Sequence, residues 1–454
     1  MALLLKWNLS GSAAWSVYDG AVWDSEGGAW MGEDYLFYIS DEGTAIEKYW
    51  QPAILSFSPA QRNMKLRHGG FCQWDFGSVT MAPDFFYANA MWPPPKNSVI
   101  EIYYTASTFE NATILFAGTA HRATFNRNQA VYDLYGPSYT HEFLIEWEDY
   151  NEDTVPMPRM LGAWEHGSAK RLPDRNTAPT YWKAHVSGTC GVNWHCYDDG
   201  VNIDANVIEN SDGLTFSLKF VPVGEVTISG TGDIATLDDL FVWACNQDDR
   251  LPVEYDGSLG ASPSPSIQCY VESQVKTIDL MDDIAAWNRH MFYEEGTIIN
   301  LLDMTASNGS GTLDEYEFMD SSYDLDVPIK AIKAKWKTRE ATEDTRGKYV
   351  KDVDHESSVP SAYAYGDELT VEVYNSDKAT IDAKLQIIMD ALHDEWPEIS
   401  MPVGSSIPPP GKQLTVTDNS GPGSVTATIK VREYRIDLNM DRLECVVRGE
   451  GTIS

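Results

Sequence analysis

Alternation with a period of two recurs along most of the chain, broken every few positions by turn residues. Tyr35-Leu-Phe-Tyr-Ile-Ser40, Ser98-Val-Ile-Glu-Ile-Tyr-Tyr104, Gln129-Ala-Val-Tyr-Asp-Leu-Tyr135 and Leu214-Thr-Phe-Ser-Leu-Lys-Phe220 set apolar or aromatic side chains against small or polar ones, and Thr113-Ile-Leu-Phe-Ala-Gly118 is a further strand-like run. Successive side chains of a strand point to opposite faces, so this pattern builds half-buried strands and gives a helix no apolar stripe. The three prolines of Trp92-Pro-Pro-Pro95 have no N–H groups to offer a ladder, and the run reads as a stiff connection before a strand. The expected class is mainly β, in barrel or sandwich domains. At roughly 100–200 residues per domain, a chain of 454 residues divides into about three or four.

Four segments differ in character. Residues 1–140 read as an N-terminal arm and a β-barrel domain, and 141–235 as a second β-rich domain. Within the latter, Asp198-Asp-Gly200 and Pro222-Val-Gly-Glu225 are turns, with a short strand after the first and a return strand, Val226-Thr-Ile-Ser229, after the second. Residues 236–327 form a small α/β unit. Thr236 is placed to cap a short helix through Ala244, and Thr277 to cap another through about His290, with Leu280, Met281, Ile284 and Trp287 on one face. A hairpin follows around Glu295-Gly296, then a flexible loop, Asn308-Gly-Ser-Gly311. Residues 328–454 return to strands, with one amphipathic helix, Ala379 to Leu392, and a closing hairpin around Asn439-Met-Asp441. The Gly-, Ser- and Pro-rich stretch Ser258 to Ser266 is a spacer.

Composition narrows the function. Hydrophobic residues at 43% and aromatics at 12% suffice for ordinary cores, which excludes disorder of the whole chain. Acidic residues number 68 against 33 basic, for a net charge of -35. Such a surface repels nucleic acid and anionic membranes and keeps a concentrated protein in solution. It also suits the wall of a conduit through which DNA slides without being held. No apolar run spans a bilayer and no targeting segment is evident, so folding in a cytoplasm is expected.

The six cysteines are too sparse for a disulfide scaffold. Cys190 and Cys196 flank His195, but their spacing departs from metal-site patterns, and recruiting Cys245 and Cys269 would need distant segments. Small buried thiols are the simpler account. No GxSxG, HExxH, P-loop, GxGxxG or EF-hand motif occurs; Gly309-Ser-Gly311 and His355-Glu356 lack the required flanks. Asp238-Asp239, Asp282-Asp283 and Asp352-Val-Asp354 are acid pairs, but in so acidic a chain each reads first as surface. No catalytic, cofactor-binding or metal-binding residue is assigned. Trp7, Trp15, Trp23 and Trp30 recur near the N-terminus with Gly and Ser between them, which favours an extended arm carrying interface anchors.

The order of several segments resembles the tail-tip, or baseplate hub, proteins of long flexible-tailed bacteriophages and gene transfer agents. Ser98 to Tyr104, Leu115-Phe-Ala-Gly-Thr119 and Val131-Tyr-Asp-Leu-Tyr-Gly-Pro137 look like the first β-domain of such hubs. Arg159-Met-Leu-Gly162, Cys196-Tyr-Asp-Asp-Gly-Val201 and Leu214-Thr-Phe-Ser-Leu218 are similar to a second segment. Asp279 to Met304 resembles their small α/β unit, and Ile429 to Gly451 their closing hairpin. The apolar stretch up to about Asp34 departs from the pattern, and the four-cysteine iron–sulfur cluster of some tail-tip proteins is not carried over. The resemblance implies a non-enzymatic virion protein, assembled in the host cytoplasm as a homotrimer. It would join the tail tube and distal tail proteins to a central fibre and narrow the DNA channel, with DNA only in transit. Two other functions stay open: a carbohydrate-binding or glycoside-hydrolysing β-rich protein, and a distal-tail or receptor-binding component.

Overall fold

The computed structural model describes residues 2–9, 35–40, 51–57, 60–75, 77–88, 98–105, 113–135, 147–150, 153–156, 158–172, 179–184, 188–210, 215–246, 254–255, 264–272, 275–295, 298–306, 309–313, 320–324, 329–341, 350–362, 365–374, 377–393, 396–402, 410–418, 425–439 and 442–453. Among them the mainly β class read from the alternation is borne out, with strands gathered into several sheets.

The first sheet runs in the order Gln51–Pro52, Tyr35–Ser40, Ala2–Leu9, Ser98–Thr105, Thr113–Phe125, Ala130–Tyr135, Ser78–Met81, Ile54–Phe57. Laid flat, eight strands about 4.8 Å apart would part its edges by about 34 Å. Only Ala53 separates the two edge strands in the chain, which allows no more than about 8 Å. The sheet therefore curls round on itself, although the hydrogen-bonded ladder does not close at this seam. Val79, Met81, Ile100, Ile102, Tyr132 and Leu134 are buried in it. The short helix α1 (Pro83–Ala88) adds Phe86, whose ring lies 6.0 Å from that of Tyr132. Ala2–Leu9 pairs on both sides, Trp7 lying opposite Phe37 and Ile100. The expected arm thus begins as a sheet strand. Residues 10–34, with Trp15, Trp23 and Trp30, lie outside the described residues, as does Trp92–Pro95.

A sandwich follows. A five-stranded sheet (Val201–Asn202, Trp194–Asp198, Val226–Thr231, Arg159–Ser168, Gln268–Val271) faces a four-stranded one (Lys170–Arg171, Thr180–Lys183, Thr215–Leu218, Val207–Glu209). Trp194, Cys196 and Ile228 from one pack against Trp182, Phe216 and Leu218 from the other. The turn at 222–225 does not make the hairpin expected of a return strand. It carries the chain from the smaller sheet to the larger, because Phe216 and Ile228 must face each other across the core.

The largest sheet is assembled from distant parts of the chain. Its order is Glu254–Tyr255, Ile298–Asp303, His290–Glu295, Gly69–Asp75, Ala60–Leu66, Val425–Asn439, Arg442–Ile453, Trp396–Pro402, Asp320–Asp324. Gln413–Asp418 also pairs with Val425–Asn439, and Ser310–Leu313 pairs in parallel with Gln413–Asp418. Ser310 and Gly311, expected in a flexible loop, are therefore in a strand. Helices α2 (Leu237–Cys245) and α3 (Thr277–Trp287) bury Leu240, Phe241, Leu280 and Ile284 with Phe71 and Phe292 of this sheet. Thr236 caps α2 as expected, with Asp239 completing a capping box. Helix α3 differs: Lys276 is its N-cap, Thr277 is its first residue and is buried, and the helix ends at Trp287, so that His290 already belongs to a strand. Finally, α4 (Lys378–His393) packs Ile381, Leu385, Ile388 and Met389 on a three-stranded sheet of Val350–Pro360, Ile329–Ala341 and Asp367–Val371. Trp287 at the end of α3 reaches into this last core.

Candidate functional site

The chemically densest place in the molecule is the middle of the largest sheet. The hairpin Ala60–Leu66/Gly69–Asp75 sits between the hairpin of the α/β unit and the closing hairpin. Arg67 and His68 form its turn, and Gly69 and Gly70, with φ of 152° and 95°, open its second strand. A Cβ on Gly69 would lie 2.7 Å from the His290 carbonyl oxygen, and one on Gly70 would lie 2.1 Å from Asp282 Oδ1. Glycine is needed at both positions because they lie against Ala286 and Asp282 of α3 and the His290 carbonyl. Asp282 then accepts the Phe71 N–H at 2.6 Å. Burial pushes the Asp282 carboxyl above its ordinary value, although the Phe71 N–H and Lys65 pull the other way.

Behind this turn lies a buried network of charge. Arg289 Nη2 donates to Glu450 Oε1 at 2.9 Å, and Arg432 Nη2 donates to Glu450 Oε2 at 3.1 Å. Arg289 Nη1 also donates to the His68 carbonyl at 3.0 Å, and Arg432 Nη2 to that of Met304 at 2.6 Å. Arg62 donates to the Glu294 carbonyl at 2.6 Å, its guanidinium between the rings of Tyr293 and Tyr434. Glu433 accepts the Met64 N–H at 2.8 Å and pairs with Arg448 at 3.4 Å. Arg432–Glu450 and Arg448–Glu433 lie within the closing hairpin, whereas the other bonds join residues at least 128 positions apart, so the network fastens three parts of the chain together. Burial, then the charge of Arg289, holds the His68 imidazole down at about 4, so it is neutral near pH 7. Deleting one partner of such a buried pair costs about 3–5 kcal/mol, whereas a matched apolar replacement can be neutral. The network is therefore weak evidence of net stability.

Of the residues weighed for chemistry, Asp282 lies at this hairpin and the others lie elsewhere, each engaged in structural contacts. Asp239 caps α2, and Asp238 accepts the Tyr255 hydroxyl. Asp282 and Asp283 go to separate partners, the latter accepting the Tyr374 hydroxyl at 3.2 Å. Asp352 and Asp354 stand opposite Arg339 and Lys337 in a strand pair. His355 stacks on Trp336 at 5.4 Å, and Glu356 pairs with Lys335 at 3.0 Å.

Cys190, His195 and Cys196 do meet, around Asp204. Its carboxylate accepts the Cys190 thiol at 3.6 Å, the Cys196 N–H at 2.8 Å and His195 Nδ1 at 2.7 Å. Burial pushes that carboxyl up, but the bonds from His195, Cys196 and Asn202 outweigh it and hold it below its ordinary value. Burial and then Asp204 push the Cys190 thiol up to about 12, and burial raises Cys196 likewise. A thiol so protonated is not a nucleophile at neutral pH. Among the described residues no group of three or more His, Cys, Asp and Glu is arranged to hold a metal ion. All six cysteines are free; Cys72, Cys196 and Cys445 are buried and the other three half-buried.

Sequence reasoning missed the hairpin 60–75 and every arginine and glutamate of the buried network. The one local signal was His68-Gly-Gly70, a glycine pair that marks a turn.

No protein family matches the sequence, and no curated protein does. Among solved structures the chain is similar to the tail protein from Neisseria meningitidis MC58, at 10% identity and a TM-score of 0.44, over 86% of this chain and 90% of that one. It is similar to the 43 kDa tail protein of prophage MuSo2 from Shewanella oneidensis, at 9% identity and a TM-score of 0.45, over 99% and 98%. It is also similar to a chain in the virion of a native gene transfer agent particle, at 9% identity and a TM-score of 0.42, over 65% and 84%.

Proposed function

We propose that this chain is a structural protein of a bacteriophage tail and, within the tail, a baseplate hub at the tip. One observation carries the proposal. Asp279 to Met304 and Ile429 to Gly451, two of the segments in which the sequence resembles tail hubs, fold as helix-plus-hairpin and as closing hairpin. Hairpin 60–75 holds them in one sheet, and buried ion pairs fasten it. A protein that joins a tube to a fibre must keep its parts in fixed mutual orientation, and such a sheet does that. The charge of -35 supports a lumen wall along which DNA slides. Among the described residues no helix is long and apolar enough to cross a membrane.

In this role the chain forms a homotrimer without catalytic activity, contacts distal tail and tube proteins on one side and a central fibre on the other, and narrows the channel. Segments 1–140, 141–235, 236–327 and 328–454 are its domains in chain order; the first, third and fourth contribute to the common sheet. Immunogold labelling of purified particles with antibody against the chain tests the role. Gold at the tail end is expected. A chain missing from the particles' mass spectrum would remove the role and bring the carbohydrate-binding function forward.

A further inference from the structure

We propose that the Arg289–Glu450–Arg432 triad holds a small monovalent inorganic anion, chloride under ordinary salt conditions. Two guanidiniums share one carboxylate there, at 2.9 and 3.1 Å, and the side chains of Arg289, Arg432 and Glu450 are 9%, 0% and 9% exposed. Guanidinium stays charged in proteins, so the triad carries a surplus of one positive charge away from water. Among the described residues no second carboxylate pairs with Arg289 or Arg432. His68, against Arg289, is neutral near pH 7, and Glu433 is engaged by Arg448 and the Met64 N–H.

The hydrogen-bond inventory points the same way. Arg289 Nε, Arg432 Nε and Nη1, and His68 Nδ1 are buried and make no hydrogen bond within the protein. The carbonyls of His68 and Met304 take other N–H groups of the same arginines. Those carbonyls satisfy geometry and leave the charge untouched. Buried donors in native proteins nearly always have acceptors, and buried charges nearly always have counter-charges. A water molecule meets the first requirement only, whereas an anion meets both. The surplus of one selects a monovalent ion, and the complete burial of Arg432 favours a small, weakly hydrated one. The site lies where the hairpin 60–75, the α/β unit and the closing hairpin join, so its occupancy would tighten that junction.

The test uses the full chain. Sodium chloride replaces sodium gluconate at constant ionic strength while thermal unfolding is followed. The expected result is a saturable rise in Tm of about 2–4 °C, lost in Arg432→Met. Crystals of the unaltered chain grown in bromide should show an anomalous peak within hydrogen-bonding distance of Arg432 or Arg289, which decides the matter even if Arg432→Met fails to fold. A Tm that stays unchanged as chloride replaces gluconate, an Arg432→Met chain that keeps the halide response, or an ordered water without anomalous signal at the triad would each overturn the proposal.

Discussion

A methyl group at position 70 would have nowhere to go. The backbone there has φ of 95°, and a Cβ would stand 2.1 Å from Asp282 Oδ1. Left-handed strain costs about 1–3 kcal/mol and overpacking about as much again. Gly70→Ala should therefore destabilise the chain by about 3 kcal/mol, read as a lower urea midpoint with unchanged slope. Lys384 offers a test by pH. It reaches from α4 to Asn288 and lies 5.4 Å from the ring of Trp287, and burial lowers its pKa to about 8. In the unfolded chain a lysine titrates near about 10.4. Between the two values the unfolded state binds more protons, so stability rises with pH across that window; below about 8 the cost of the buried charge is borne in full. The unfolding free energy of the native chain minus that of Lys384→Met should grow between pH 8 and about 10, by at most about 3 kcal/mol; a flat difference would show that Lys384 is not desolvated. Residues of this kind were poorly legible in the sequence. His68-Gly-Gly70 announces a turn, but nothing local says that Asp282, 211 or more residues on, will receive the Phe71 N–H.

Elements whose signals are local were read well. The periodicity of α4 and its buried face of Ile381, Leu385, Ile388 and Met389 match the structure, because 3.6-residue spacing lies within one segment. The closing hairpin and the hairpin after α3 were legible for the same reason. So was the cap of α2, and Thr236→Ala should cost about 1 kcal/mol, measurable by chemical denaturation, with Thr236→Ser nearly neutral. The start of α3 was misread because burial of Thr277 turned a good capping residue into the first helical one. Ser310 and Gly311 were misread as loop because the partner of their strand begins at Gln413, and parallel pairing across such a distance leaves no pattern in either strand alone. The missed hairpin 60–75 belongs here too: its neighbours are strands near residues 290 and 430.

At the scale of the whole molecule, Trp287 couples two cores. It is 2% exposed and packs with Ile332, Ile381 and Leu385, while the rest of α3 packs with α2. Trp287→Ala should cost about 3–5 kcal/mol and split one cooperative unfolding transition into two, with the unit around α4 melting first. Charge acts at the same scale. A chain of -35 repels its own copies, so self-association should strengthen as salt rises from about 0.01 M to about 0.15 M and the Debye length falls from about 30 Å to about 8 Å; sedimentation velocity would show it. The central claim is that this chain forms the hub of a tail tip, and the most direct measurement is a cryo-electron microscopy reconstruction of the tail end of intact particles. The account predicts three copies around the axis, each with its largest sheet intact and the narrowed lumen between them. Six copies in a ring above the tip, or a tip that contains no copy of the chain, would contradict it.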